Sequence, residues 1–109
     1  MEEIETVKKL IVEEIEKFGF HVVNIMLFGS RARGDFKTDS DWDLLVIVDK
    51  DISPQIERKI MDRIYRGLAK FENSYEIVLK SRATFNKMKH IVGSICYEAE
   101  SEGKVIWKR

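Results

Sequence analysis

The chain has 109 residues, 44% hydrophobic and 35% charged, which is enough apolar material for one packed core. Nineteen Lys and Arg balance nineteen Asp and Glu; the formal net charge of zero argues against a protein that coats nucleic acid through bulk positive charge. The one cysteine excludes an intramolecular disulfide framework and a Cys-based zinc site, and no apolar run approaches the ~18 residues of a membrane span. A single cytoplasmic domain over residues 1–109, with no membrane partner, is the expectation.

In chain order, Ile4, Val7, Ile11, Ile15 and Phe18 recur at three- and four-residue steps among Glu and Lys. That period predicts an amphipathic helix, with Gly19 as its stop. Residues 21–28 are short, apolar and rich in β-branched side chains, and read as a strand. Residues 29–41 are polar and lack a buried pattern. A second strand follows from Trp42 to Val48; its continuous apolar run predicts cover on both faces. Ser53 and Pro54 start a helix with Ile56, Ile60, Ile64 and Leu68 on one stripe, running to about Phe71. Tyr75 to Leu79 reads as a third strand. Thr84 is the expected cap of one closing helix, striped by Phe85, Met88, Ile91, Val92, Ile95 and Ala99 and stopped at Gly103. Val105 to Trp107 reads as a short edge strand. The order α-β-β-α-β-α, with a last β, predicts an α/β (α+β) fold: a small mixed sheet packed with helices.

The chemistry concentrates between Phe28 and Asp43. Gly29-Ser30 ends a strand in a tight turn, where free backbone N–H groups and a hydroxyl can meet an anion. Arg31 and Arg33 add charge there, with directions the sequence leaves open. Asp41 and Asp43 stand two apart at the start of a strand, so both carboxylates project on one face. Two carboxylates this close repel unless a cation lies between them, and hard divalent ions such as Mg²⁺ prefer such oxygen ligands. The combination suggests metal-assisted phosphoryl or nucleotidyl transfer. Glu76 is a charge inside an otherwise apolar strand, which is costly unless it lies on an edge or has a partner. If its strand lies beside the second, it can reach the same metals.

Gly29-Ser30, ten intervening residues, then Asp41-x-Asp43 leading into Leu44-Leu45-Val46 resembles the signature of the DNA polymerase β nucleotidyltransferase superfamily. The size and element order resemble its minimal prokaryotic members, the antitoxin type that pairs with HEPN proteins. The resemblance implies two divalent ions, Mg²⁺ with Mn²⁺ as the alternative, held by Asp41, Asp43 and a third carboxylate, Glu76. It implies a nucleoside triphosphate, ATP by family habit, at Gly29 and Ser30, with Arg31 and Ser40 as further nucleotide contacts. The reaction implied is transfer of a nucleoside monophosphate to an acceptor hydroxyl, and the partner implied is a helical HEPN protein. At this length a partner or a homo-oligomer is expected to complete the acceptor site. One departure stands out: the family's third carboxylate is usually Asp, and Glu76 is longer by a methylene.

The alternative reading is a non-catalytic antitoxin that neutralises a HEPN toxin by contact, its metal site vestigial. Other motifs fail. Gly29 and Gly34 begin like a P-loop, but Asp35-Phe36 stands where Lys-Ser/Thr is required. Arg33-Gly34-Asp35 is a chance tripeptide. His21 and His90 have no metal-ligand spacing, Cys96 reads as packing, and Trp42 should point away from the two aspartates.

Overall fold

The structure, a computed structural model, describes residues 2–109. Helix α1 (Glu3–Glu16) leads into strand β1 (Val22–Phe28), a short helix α2 (Ser30–Arg33) and strand β2 (Trp42–Val48). Helix α3 (Pro54–Leu68), strand β3 (Tyr75–Ser81), helices α4 (Arg82–Met88) and α5 (Ile95–Glu102), and strand β4 (Lys104–Lys108) complete the chain. The sheet order is β3-β2-β1-β4. β1 runs antiparallel to β2 and β4, while β2 and β3 are parallel, joined by the α3 crossover.

The α1 stripe buries Val7, Ile11 and Ile15, and the α3 stripe buries Ile60, Ile64 and Leu68. Both press on one sheet face through Ile25, Leu27, Leu44, Val46, Ile77 and Leu79. The other face carries a smaller cluster in which Met26, Phe28, Leu45 and Ile47 meet Ala99 of α5 and Phe85 of α4. The continuous apolar run of β2 is thus covered on both faces, as its composition demands. Truncating a fully buried side chain such as Leu44 to Ala costs about 2–5 kcal/mol in such a core. Among the described residues, no helix is long and apolar enough to cross a membrane.

Two expectations need correction at the closing helix. It is two helices, and its cap is Ser81, whose side chain accepts the Thr84 N–H. The break spans residues 89–94 and contains Gly93, which takes φ +93°, a left-handed value that a continuous helix cannot contain. Ser94 then caps α5 by accepting the Tyr97 N–H at 3.0 Å. The predicted stripe is broken with it: Ile91, Val92 and Ile95 are exposed, Val92 to 78%. The sequence period was continuous only because the turn happens to carry apolar residues. β3 also runs two residues further than its apolar core suggested, and α3 ends at Leu68 rather than near Phe71.

Candidate active site

The turn after β1 is dictated by one residue. Gly29 has φ +75°, and a β-carbon there would overlap the Asp43 Oδ2 and lie 3.1 Å from its Cγ. The carboxyl of Asp43 therefore rests against bare backbone. The Gly29 carbonyl accepts the Ala32 and Arg33 N–H groups, both at 3.1 Å, which winds α2 directly out of the turn. Buried Ala32 fixes α2 to the core. Ser30 is the first residue of α2, where backbone N–H groups lack intrahelical acceptors.

Asp43 is partly buried at the start of β2 and shares a sheet face with Leu45 and Ile47. Trp42, of opposite parity, packs into the α1–α3 core, away from the aspartates as expected. The parallel pairing sets Asp43 opposite Glu76 of β3, so the two carboxylates lie side by side on one face. Asp41 precedes the strand and is exposed, as is Glu76. Burial pushes the Asp43 carboxyl above its ordinary range, and the charges of Asp41, Glu76 and Glu98 push it further; Arg33 opposes them. Among the described residues, no group of three or more carboxylates, histidines or cysteines is placed to hold a metal ion. Asp41 and Asp43 are the residues that could hold a cation beside Gly29, with Glu76 adjacent.

Arg31 and Ser40, both expected at the nucleotide, are turned into the loop that joins α2 to β2. The Arg31 guanidinium donates to the carbonyls of Ser40 and Thr38, each at 3.1 Å. It also lies over the rings of Phe36 and Trp42. The Ser40 Oγ accepts the Lys37 N–H at 2.9 Å. The structure instead brings Arg33 to the carboxylate face, where it pairs with Asp35, Glu98 and Glu102 at 3.3–3.8 Å. Glu98 had no signal in the sequence: it is one of three alternating Glu on a surface helix, and only the return of α5 over β1 brings it near Asp43. His21 lies elsewhere, its N–H donating to Asp49 Oδ1, and Cys96 is packing, its thiol pushed up by burial.

A mixed sheet whose Gly-Ser turn abuts a strand-borne carboxylate pair defines a nucleotidyltransferase domain. The chain belongs to the family described as "Polymerase beta, Nucleotidyltransferase", whose model matches residues 8–109. It is 29% identical over 107 residues to "Putative protein adenylyltransferase MJ0604" of Methanocaldococcus jannaschii, covering 98% of this chain and all of that one. Its fold is similar to a toxin-antitoxin crystallised with AMP-PNP, with a TM-score of 0.63 at 19% identity, over 99% of this chain and 75% of the other. It is also similar to spectinomycin adenyltransferase AAD(9) of Enterococcus faecialis, with a TM-score of 0.68 at 16% identity. That match covers 97% of this chain and 55% of AAD(9), so the chain spans about half the length of that enzyme. A third similar structure is the toxin-antitoxin MntA-HpeT, with a TM-score of 0.60 at 19% identity, over 100% of this chain and 75% of the other.

Proposed function

We propose that this protein is a metal-dependent nucleotidyltransferase that transfers AMP from ATP to an acceptor hydroxyl on a partner protein, a helical HEPN-type protein. The observation that carries the reading is the placement of Asp43: against the backbone of Gly29, two residues from Asp41, and in register with Glu76. The name of the M. jannaschii relative supports a protein acceptor, and the toxin-antitoxin neighbours support a toxin as the partner.

The donor set fits a divalent cation. It is all oxygen, and burial together with the charges of Asp41 and Glu76 raises the proton affinity of Asp43, an electrostatic strain that Mg²⁺ or Mn²⁺ would relieve. Asp41 and Asp43 would hold the metal, and Glu76 would complete the set. When bound, one or two such ions supply charge neutralisation at the triphosphate and acidify the acceptor hydroxyl. The chain's own residues do the rest. The Gly29-Ser30 turn seats the phosphates on backbone N–H groups and the Ser30 hydroxyl. Glu76, exposed beside Asp43, takes the acceptor proton. The acceptor oxygen bonds to the α-phosphorus as the bond to the pyrophosphate oxygen breaks, and pyrophosphate leaves. The domain would occupy the cytoplasm with its partner.

The test is incubation with Mg²⁺, α-labelled ATP and the product of the neighbouring gene, with Asp41→Ala/Asp43→Ala as control. Aspartate-dependent label on the neighbour supports the reading. Tight binding of the neighbour without label would overturn it in favour of neutralisation by contact.

A further inference from the structure

We infer that Arg31 is a positioning residue, the clamp that holds the Asp41-bearing loop against the Gly-Ser turn, and that it does not contact the triphosphate. The inference rests on the assignment of Asp41 as a metal ligand proposed above.

The loop from Gly34 to Asp41 has no helix or strand to order it, yet it delivers a carboxylate that must meet Asp43. Its internal bonds are few: Ser40 N–H to the Lys37 carbonyl at 3.0 Å, and Lys37 N–H to Ser40 Oγ. Arg33 holds the Asp35 carboxylate at 3.3 Å, and Arg31 holds the stretch from Lys37 to Ser40. Nε donates to the Ser40 carbonyl at 3.1 Å, and Nη2 to the carbonyls of Thr38 at 3.1 Å and Lys37 at 3.5 Å. The guanidinium carbon lies 4.6 Å from the Phe36 ring centre and 4.7 Å from that of Trp42. A planar fork that donates in its plane while its faces meet aromatic rings is a use only Arg can serve; Lys has neither the fork nor the stacking surface.

The clamp is anchored at both ends. Arg31 is one residue from Ser30 in α2, so the loop is hung from the nucleotide turn itself. Trp42 lies 6.3 Å, centre to centre, from Tyr75, whose hydroxyl donates to Glu3 at 2.6 Å. The stack thus continues through the start of β3 to α1. The two arginines of the segment divide the work: Arg33 meets carboxylates, while Arg31 meets carbonyls and rings. Because Asp41 follows Ser40 directly, releasing the Ser40 carbonyl frees the carboxylate to move. A misplacement of ~1 Å at a reacting centre can cost ~100-fold in rate.

The experiment compares the full chain with Arg31→Lys and with Phe36→Ala, whose ring is 47% exposed and contributes nothing to the core. Three readouts are taken: amide hydrogen exchange of the metal-free protein, Mn²⁺ titration, and ATP binding in EDTA. In both variants, exchange over residues 36–41 should rise about tenfold while β1 and β2 keep wild-type protection. Mn²⁺ should bind about tenfold more weakly, and ATP in EDTA within about twofold of wild type. Wild-type exchange over 36–41 in Arg31→Lys would overturn the clamp. So would about tenfold weaker ATP binding in EDTA with Mn²⁺ affinity intact, which would make Arg31 a phosphate ligand. If the wild-type protein binds no Mn²⁺, the metal assignment fails, and the exchange result alone decides the clamp.

Discussion

The Asp43 carboxyl occupies the space in which a side chain on Gly29 would stand. A strand-end turn and a carboxylate fourteen residues apart in sequence are therefore one steric unit, and the glycine is required twice, for its φ of +75° and for that contact.

Gly29→Ala tests this directly. The left-handed backbone strain should cost about 1–3 kcal/mol, read from urea denaturation. The displaced Asp43 carboxyl should lower the AMP transfer rate by about 100-fold. A wild-type rate in a folded Gly29→Ala protein would separate the turn from the chemistry.

Asp43→Asn should stabilise the fold at neutral pH while lowering transfer by at least about 100-fold. The sign follows from the direction of the shift. Burial and the neighbouring carboxylates raise the Asp43 pKa in the folded state, so the folded protein holds its proton more tightly than the unfolded chain. Its contribution to stability is full below the unfolded pKa and is lost as pH rises through the folded one. Above that window the ionised carboxylate is a burden that Asn removes. Urea midpoints for the two proteins should converge in acid and separate as pH rises; the reverse order would contradict the repulsion.

Glu76→Gln is a change at an exposed position, so stability should stay within about 0.5 kcal/mol of wild type. Loss of the base proposed for the transfer should lower its rate by about 100- to 10,000-fold. Glu76→Asp, which shortens the reach, should fall between the two. An unimpaired Glu76→Gln enzyme would move the proton acceptor elsewhere.

Ser94→Ala probes the break between α4 and α5. Ser94 accepts the Tyr97 N–H and donates to the Met88 carbonyl at 2.9 Å, tying one helix to the next. Its loss should cost about 1–2 kcal/mol by thermal or urea unfolding. No loss would mean the two helices hold their angle by packing alone.

Much of this protein was determined by local sequence. The three- and four-residue spacing of Val7, Ile11 and Ile15, and of Ile60, Ile64 and Leu68, encodes helices with one buried face. The apolar run of β2 encodes a strand covered on both sides, and its alternation puts Asp43 on the face of Leu45 and Ile47. These follow from backbone periodicity, which each segment carries by itself. The rest depended on partners distant in sequence. Only the parallel register of β2 with β3 sets Glu76 beside Asp43. Only the Phe36 and Trp42 rings and the loop carbonyls give Arg31 its direction, which the sequence left open. Only the turn over residues 89–94, with Gly93 in a left-handed conformation, takes Ile91 and Val92 out of the helical stripe. Periodicity is a property of one segment; the direction of a side chain is chosen by whatever the fold brings within its reach.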